Sequence, residues 1–300
     1  EFTSSASLAY KQLTPTKRFL TYIYSVGVNN SYLYTPFKWS ELKLSASAFY
    51  FLKNFWDIKF SYESQPIWQN NYFELRTPGR MVRMMPWQYF GIDGSSDSRK
   101  RFFAGFDVGY ANTSAFDNAE FYRGDFNVRY RFSDRWSMEL EAGGSYDQGN
   151  VGYAFRRESN GDPIIGWRDV RAFSTVLSGI FNFTPRMFLT LRSRHYWSKV
   201  NYEKFFNVDQ NGYWIDRAFI AGNDNNYNAY NLDVFYTWDF MYGSRFILGW
   251  KSWLPQDVTI DGNVNRNYVS NYRQALSNPL GRELTARLIY FLDHRKIRTK

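Results

Sequence analysis

The chain has 300 residues, of which 21% are aromatic, and a formal net charge of +9, but it contains no cysteine. The lack of cysteine excludes disulfide frameworks and thiolate metal sites, and the scatter of the 37 Lys and Arg residues argues against a nucleic-acid partner. Mean hydropathy is −0.53, and no run approaches the roughly 18 apolar residues of a membrane helix, so any membrane-spanning form must be built from strands.

Apolar and polar residues alternate with a period of two along most of the chain, which is typical of strands with two unlike faces. In the segment 40–51, for example, Leu42, Leu44 and Tyr50 share one face while Lys43 lies on the other. The pattern predicts thirteen strands, near residues 4–13, 18–33, 40–51, 55–65, 84–96, 101–112, 119–132, 135–155, 168–183, 186–201, 229–240, 245–254 and 282–293. No stretch of ten or more residues shows a convincing helical period, so no helix is expected.

The predicted connections alternate between short and long. Short turns are expected at 14–17, 52–54, 97–100, 133–134, 184–185 and 241–244. Longer connections rich in Asn, Gly and Asp are expected at 66–83, 156–167, 202–228 and 255–281, with briefer ones at 34–39 and 113–118. Outer-membrane barrels have short periplasmic turns and long outer loops, whereas a soluble β-sandwich, the rival fold, has no reason to sort its connections. The sequence therefore predicts an all-β, transmembrane, antiparallel up-and-down β-barrel.

A basic residue followed by an aromatic residue stands just beyond most of the short turns, as in Arg135-Trp136. Aromatic rings at one height beside charged groups form the girdle of a membrane barrel, although hairpin packing of aromatic pairs is an alternative. The predicted girdle residues are Phe19, Trp56, Phe102, Trp136, Phe188, Phe240 and Phe246.

Charged residues occupy the polar positions of the same strands, and we expect them to face the lumen of the barrel. The predicted lumen residues are Lys43, Lys59, Asp125, Arg129, Glu139, Glu141, Arg192, Asp233, Asp239 and Lys251. Such a lumen suits a pore, or a transport or docking channel, for a solute such as a glycan. The alternative is a plugged structural or anchoring barrel that binds an envelope protein, and a second alternative is an outer-membrane hydrolase.

Thirteen strands would leave the first and last strands parallel, whereas single-chain bacterial barrels have an even number. We therefore expect fourteen or more strands, with this chain as the C-terminal part of a longer barrel. The long loops are predicted to be extracellular, and the last strand and a basic tail at 294–300 to be periplasmic. The expected surroundings are the lipid bilayer and lipopolysaccharide.

Two segments resemble a known family. YTWDFMYGSRFILGWKSWLP at 236–255 and NPLGRELTARLIYFLDH at 278–294 are similar to the C-terminal region of a Bacteroidota outer-membrane barrel family, domain-of-unknown-function family 5916. FELRTPGR at 73–80 and SDSRKRF at 96–102 are more loosely similar. The resemblance implies the outer membrane of a Gram-negative bacterium and a preceding carbohydrate-binding family-9-like domain. It implies no catalytic residues, because the function of the family is unknown.

Candidate chemistry competes with structural interpretations at two places on the strands. Glu139 and Glu141 lie about 7 Å apart on one strand face, a separation that suits a glycosidase. Arg129 and Arg131 on the facing strand favour a cross-strand charge ladder instead. His195 could act as the base of a hydrolase, but a packed or interfacial histidine is the favoured interpretation. We therefore expect no enzymatic activity.

The long connection after residue 206 contains a partial calcium-binding pattern. Asp209 and Asn211 fit the start of an Asp-x-Asn-Gly loop, but the later bidentate Glu is missing. An Asn- and Gly-rich surface loop explains the same residues. Calcium is therefore the one candidate ligand ion, and no other cofactor is expected.

Overall fold

A computed structural model describes residues 1–255 and 267–292. It contains one large sheet of fourteen strands and a two-stranded ribbon, β5 with β6. The strands are β1 (Phe2–Gln12), β2 (Phe19–Leu33), β3 (Lys38–Leu52), β4 (Asp57–Gln65), β5 (Gln69–Asn71), β6 (Val82–Met84), β7 (Trp87–Ser95), β8 (Phe102–Asn112), β9 (Glu120–Arg131), β10 (Trp136–Arg157), β11 (Pro163–Thr184), β12 (Met187–Val208), β13 (Trp214–Asp216), β14 (Asn225–Met241), β15 (Ser244–Trp253) and β16 (Gly281–Ile289). The single described helix is α1 (Tyr268–Ser277). The predicted tail at 294–300 lies outside the described residues.

Thirteen strands of the large sheet follow one another in chain order, and every neighbouring pair is antiparallel. These thirteen correspond one by one to the thirteen predicted strands, so the all-β, up-and-down arrangement is confirmed. The short strand β13 pairs with the end of β12. Across the described residues, β1 and β16 form the two edges of the sheet, and the alternation makes them point the same way.

Most of the connections are sorted as predicted. One end of the sheet, called here the turn end, carries the connections 13–18, 53–56, 96–101, 132–135, 185–186 and 242–243. The other, called here the loop end, carries 34–37, 66–86, 113–119, 158–162, 209–224 and the described parts, 254–255 and 267–280, of the connection between β15 and β16. Most loop-end connections are longer than those of the turn end, but 34–37 and 158–162 are short.

The long connection predicted at 156–167 is wrong. Strand β10 continues to Arg157 and β11 already begins at Pro163. Register shifts occur in β10 around Gly149 and Phe155, both of which have positive φ angles of 66° and 55°. Both bulges lie within the predicted strand 135–155, and the residues that were missed are mainly 163–167 of β11. All five are buried, so they lack the alternation of apolar and polar residues by which a strand is recognised.

The expectation of no helix is also wrong, because α1 spans ten residues. Its buried residues are Asn271 and Ala275, one turn apart, and its packed rings belong to Tyr268 and Tyr272. This face is polar and aromatic rather than aliphatic, so it lacks the apolar stripe by which an amphipathic helix is recognised. No helix in the described part of the chain is both long and apolar enough to cross a bilayer.

Large apolar side chains are exposed over one side of the sheet, called here the apolar face. Phe126, which is 55% exposed, lies between Phe106 and Ala142 of the neighbouring strands. Exposed residues of this face include Leu8, Tyr24, Val26, Leu44, Phe60, Phe90, Ile92, Phe106, Val128, Leu140, Phe181, Trp238, Leu248, Trp250, Leu284 and Leu288. In a water-soluble protein, an antiparallel sheet packs its apolar face against the core and leaves its polar face in water. Here the apolar face is the exposed one.

The buried apolar residues gather at the loop end instead. Leu75 and Val82 are fully buried, and they belong to one cluster with Ile165, Trp167 and Val208. The first two come from the connection 66–86, called here the cap, and the others from β11 and β12. A buried hydrophobic core therefore joins the cap to the loop-end halves of β11 and β12.

Candidate functional site

The second side of the sheet, called here the polar face, carries all ten predicted lumen residues. The register shows this strand by strand: Lys59 lies opposite Asp93, Asp93 opposite Asp107, and Asp107 opposite Asp125. Further along the sheet, Glu139 lies opposite Ser178, Ser178 opposite Arg192, Arg192 opposite Asp233, and Asp233 opposite Lys251. The ten residues therefore share one face of the sheet.

Most acidic side chains of this face are close to basic ones. Lys59 Nζ lies 3.7 Å from Asp93, and Arg123 Nε lies 3.6 Å from Asp107. Further ion pairs join Lys43 to Glu63, Arg123 to Asp125, Arg194 to Asp233 and Arg245 to Asp239. Exposed ion pairs of this kind each contribute little to stability, but together they balance much of the charge on the polar face.

The predicted charge ladder is only partly present. Glu139 does lie opposite Arg129, but Glu141 lies opposite Asn127. Arg129 and Arg131 both donate to the backbone carbonyl of Ser98, at 2.6 and 2.8 Å. The two arginines therefore hold the connection 96–101 at the turn end. The sequence pattern could not show this, because the acceptor is a backbone atom about thirty residues earlier.

The same connection is stabilised by a local ion pair. Arg99 Nε and Nη2 each donate to a different carboxylate oxygen of Asp97, at 2.8 Å. This bidentate pairing lowers the pKa of Asp97 to about 2. The Arg99 guanidinium also lies 3.5 Å from the ring centre of Phe55 in the adjacent turn. Two neighbouring turns are thereby fastened together.

Two cavities of about 460 Å³ each lie against the polar face. Carboxylates from five adjacent strands line the first cavity: Asp57, Asp93, Asp107, Asp125 and Glu141. Three arginines and two acids line the second cavity: Arg129, Arg192, Arg194, Glu139 and Asp233. Successive strands line each cavity. The polar face is therefore acidic at the first cavity and mixed in charge at the second.

Glycines on the polar face let large neighbours lie flat along it. A Cβ atom added at Gly143 would overlap the carboxylate of Asp125, and one added at Gly109 would overlap the ring of Tyr89. The side chains of Asp125 and Tyr89 therefore extend across the backbone of the adjacent strand. This keeps bulky groups close to the wall and leaves the space in front of it open.

The predicted girdle residues all lie at the turn end. Trp136 stacks on Phe132 with ring centroids 4.0 Å apart, and Trp56 and Phe102 are each 53% exposed. Phe19 packs against Tyr50 at 5.3 Å. Elsewhere at this end, Phe240 lies 6.4 Å from Tyr290, and Phe246 pairs with Trp238 across β14 and β15.

The assignment of Phe188 to the girdle is wrong. It occupies the same alternate positions of β12 as Arg192, opposite Asn182 and Thr237, and so lies on the polar face. In four of the other turns the aromatic residue follows an arginine directly, whereas Met187 separates Arg186 from Phe188. One extra residue moves a side chain to the opposite face of a strand.

The cap extends across the loop end from β3 to β12. At its start Gln69 Oε1 accepts a hydrogen bond from the backbone N–H of Leu42, at 2.8 Å. Further along, Glu74 Oε1 accepts from the N–H of Tyr153, at 2.7 Å. Near its end, the carbonyl of Arg83 accepts from Trp214 Nε1, at 2.8 Å. The cap is therefore a packed structure rather than a loose loop, which the sequence did not predict.

The carboxylate of Asp209, the first candidate calcium ligand, binds the backbone of its own loop. Asp209 Oδ1 accepts hydrogen bonds from the backbone N–H groups of Asn211 and Tyr213, both at 2.8 Å. Within residues 1–255 and 267–292, no three His, Asp or Glu side chains come together as a metal site. The Asn- and Gly-rich surface loop accounts for these contacts.

His195 is packed beneath α1. It is 2% exposed, its Nε2 lies 3.2 Å from Asn228 Oδ1, and the rings of Tyr268 and Tyr272 lie 4.9 and 5.0 Å away. Asn271 of α1 is fully buried beside it and accepts from Asn226 and Asn228, at 2.9 and 3.0 Å. The histidine thus belongs to the contact between helix and sheet.

Comparison with known proteins gives the family of the chain. No curated protein matches it. One family model, described as a domain of unknown function (DUF5916), matches residues 1–300. The sheet described above, with its apolar and polar faces and its sorted ends, is therefore the fold of a member of that family: this chain belongs to the DUF5916 family.

Proposed function

We propose that this chain forms the wall of an outer-membrane β-barrel whose lumen admits or docks a polar solute such as a glycan. The apolar face contacts lipid and the polar face lines the lumen. The observation that carries the proposal is the reversed sheet, in which exposed apolar side chains follow one another from β1 to β16 while charged side chains lie behind them.

The size of the apolar face supports a lipid contact. Thirteen strands spaced by about 4.8 Å form a sheet roughly 60 Å wide. An apolar band about 25 Å tall over that width covers on the order of 1,500 Å². Soluble monomers rarely expose apolar patches larger than a few hundred Å². Lipid is the solvent that makes such a surface stable over this width.

The sorted connections support an orientation. In outer-membrane barrels the short turns lie in the periplasm and the long loops lie outside the cell. The turn end would then face the periplasm, and the loop end, with the cap, would face outward. The last described strand, β16, ends beside Arg245 at the turn end and so would run towards the periplasm.

One observation favours the second candidate, a closed barrel that anchors a partner protein. The cap is held across the loop end by buried Leu75 and Val82 and by hydrogen bonds to Leu42 of β3 and Trp214 of β13. A cap of this kind would obstruct the outer mouth. In that case the exposed loops, rather than the lumen, would carry the function.

Single-channel recording in planar bilayers tests the proposal. Wild-type conductance would support passage of solutes, and conductance only in a cap-loosened Leu75→Ala variant would support a closed barrel. An Asp125→Lys variant should shift ion preference towards anions, because the charge lies on the lumen wall. The same change in the turn, Asp134→Lys, is the control and should shift it little. A chain that stays monodisperse in buffer without detergent would overturn the barrel itself.

A further inference from the structure

On strands β11 and β12 the side chains of the apolar face change character from the turn end to the loop end. Directly opposed pairs follow in this order: Phe181 with Leu189, Gly179 with Leu191, Leu177 with Ser193, Thr175 with His195, Phe173 with Trp197, and Arg171 with Lys199. The series passes from aliphatic and aromatic residues through small polar ones to large rings and then to two cations.

The last pair places two positive charges directly opposite each other. Like charges in this position destabilise a sheet. Neither Arg171 nor Lys199 takes part in an ion pair among the described residues. The Arg171 guanidinium lies 4.4 Å from the ring centre of Tyr146, and its side chain is exposed. The two cations therefore lie side by side without a direct ion pair to either of them.

The nearest carboxylates are already engaged. Asp169 Oδ2 accepts a hydrogen bond from the hydroxyl of Tyr146, at 2.8 Å, and Asp169 Oδ1 accepts from the N–H of Gly149. Asp224 Oδ1 accepts from the backbone N–H of Tyr202, at 2.8 Å. Asp169 and Asp224 reduce the positive potential around the pair, but these carboxylate oxygens accept hydrogen bonds from groups other than the two cations.

The height of the pair matches a membrane boundary. Ten residues separate Phe181 from Arg171, which is about 33 Å along a strand. With a strand tilt of about 40° this corresponds to a height of roughly 25 Å, the thickness of the apolar band of outer-membrane barrels. Phe181 lies among the girdle residues of the turn end, so Arg171 lies at the opposite boundary.

Aromatic rings mark the same boundary. Tyr268 of α1 packs on Phe173 and Trp197, with ring centroids 4.5 and 6.3 Å apart. Aromatic side chains that combine an apolar body with a polar tip collect where hydrocarbon meets headgroups. The cation pair lies one step beyond these rings, where the phosphate groups of lipids are found.

We propose that Arg171 and Lys199 bind the phosphate group of a lipid in the leaflet at the loop end. This rests on the proposed membrane barrel. The planar guanidinium offers two parallel N–H donors to phosphate oxygens, and the ammonium adds a point charge. A bound phosphate offsets the repulsion between the two cations.

Binding of a short-chain phosphatidic acid to the whole chain in neutral detergent tests the site, with native mass spectrometry as the measurement. One basic residue near a membrane surface contributes about 1 kcal/mol, so Arg171→Gln with Lys199→Gln should weaken binding about 30-fold. The control is Arg101→Gln with Lys100→Gln, two exposed cations of the connection 96–101 at the turn end, which should keep the wild-type affinity. Thermal unfolding checks that both double variants are folded.

Two further ligands decide what is recognised. The matching diacylglycerol, which lacks the phosphate, should bind no better to wild type than to the Arg171 and Lys199 variant. Inorganic phosphate should not displace the phosphatidic acid at millimolar concentration. Equal affinity of wild type and variant, or displacement by inorganic phosphate, would overturn the lipid site. A chain that needs no detergent would instead overturn the proposed barrel, so the two failures are distinct.

Discussion

Arg80 of the cap forms an ion pair with Asp162, which lies 82 residues later in the connection between β10 and β11. The same guanidinium donates to the backbone carbonyl of Val208 at the end of β12, at 2.5 Å. One side chain thus ties the cap to three successive long strands. Arg80 and the amide of Asn160 together hold the pKa of Asp162 below its ordinary value of 3.8.

The docking of the cap should weaken in acid. A carboxyl whose pKa is lowered by folding stabilises the folded form fully above its ordinary value and loses that contribution as pH falls through the lower one. We expect pepsin to cleave the cap faster at pH 2.5 than at pH 4.5, relative to cleavage elsewhere. Asp162→Asn should remove most of this difference. Asp134→Asn, in a turn at the other end, should leave it as in wild type.

Removing the Leu75 side chain should loosen the cap without unfolding the strands. A fully buried leucine replaced by alanine costs about 2–5 kcal/mol through lost burial and the cavity left behind. Hydrogen exchange should therefore speed up in 66–86 and at Tyr153, whose N–H donates to Glu74. Ile67→Ala, at a side chain that is 49% exposed, is the matched control. Equal exchange in both variants would show that the cluster does not hold the cap.

The two faces of β9 should respond in opposite ways to a new charge. Arginine at Val128, on the apolar face, would enter the hydrocarbon and cost about 2–4 kcal/mol near the middle of the bilayer. The same residue at Asn127, on the polar face, would meet water and acidic neighbours. Folding into lipid vesicles, followed by heat-modifiable gel mobility, should fall for Val128→Arg and persist for Asn127→Arg. Similar yields for the two variants would contradict the assignment of the faces.

Asn271 should control the docking of α1. Replacing it with alanine leaves the buried amides of Asn226 and Asn228 without their shared acceptor, at about 1–3 kcal/mol for an unsatisfied buried donor. Amide exchange in 268–277 should accelerate while exchange in β12 changes little. Arg273→Ala, an exposed change on the same helix, supplies the comparison. Protection of α1 that survives Asn271→Ala would assign its docking to the tyrosine rings alone.

Much of the sheet follows from local pattern. A period of two assigns a side chain to a face from its neighbours alone, which is why thirteen strands and ten polar-face residues were predictable. The period fails where both faces of a strand are buried, as at 163–167 of β11, and where a residue is added, as at Met187 before Phe188. In each case a face or a strand end was assigned wrongly.

The cap and α1 depend on contacts far apart in sequence. Leu75 is buried by residues about ninety positions later, so its own segment reads as a polar connection. Helix α1 is held by Asn271 and two tyrosines, which look no different from loop residues in a sequence. A local sequence pattern cannot show partners so far away, so neither the packing of the cap nor the docking of α1 could be predicted from the sequence.

The three longest strands, β10, β11 and β12, each contain 22 residues. A bilayer needs only about 9–11 residues of a tilted strand. Their turn-end parts expose Phe181 and Phe183, whereas their loop-end parts bury Ile165 beneath the cap. In a membrane, each of these strands would be stabilised by lipid along its turn-end half and by burial beneath the cap along its loop-end half. A change of lipid composition should therefore alter the stability of the turn-end half alone. Water-soluble denaturants should unfold the loop-end half first.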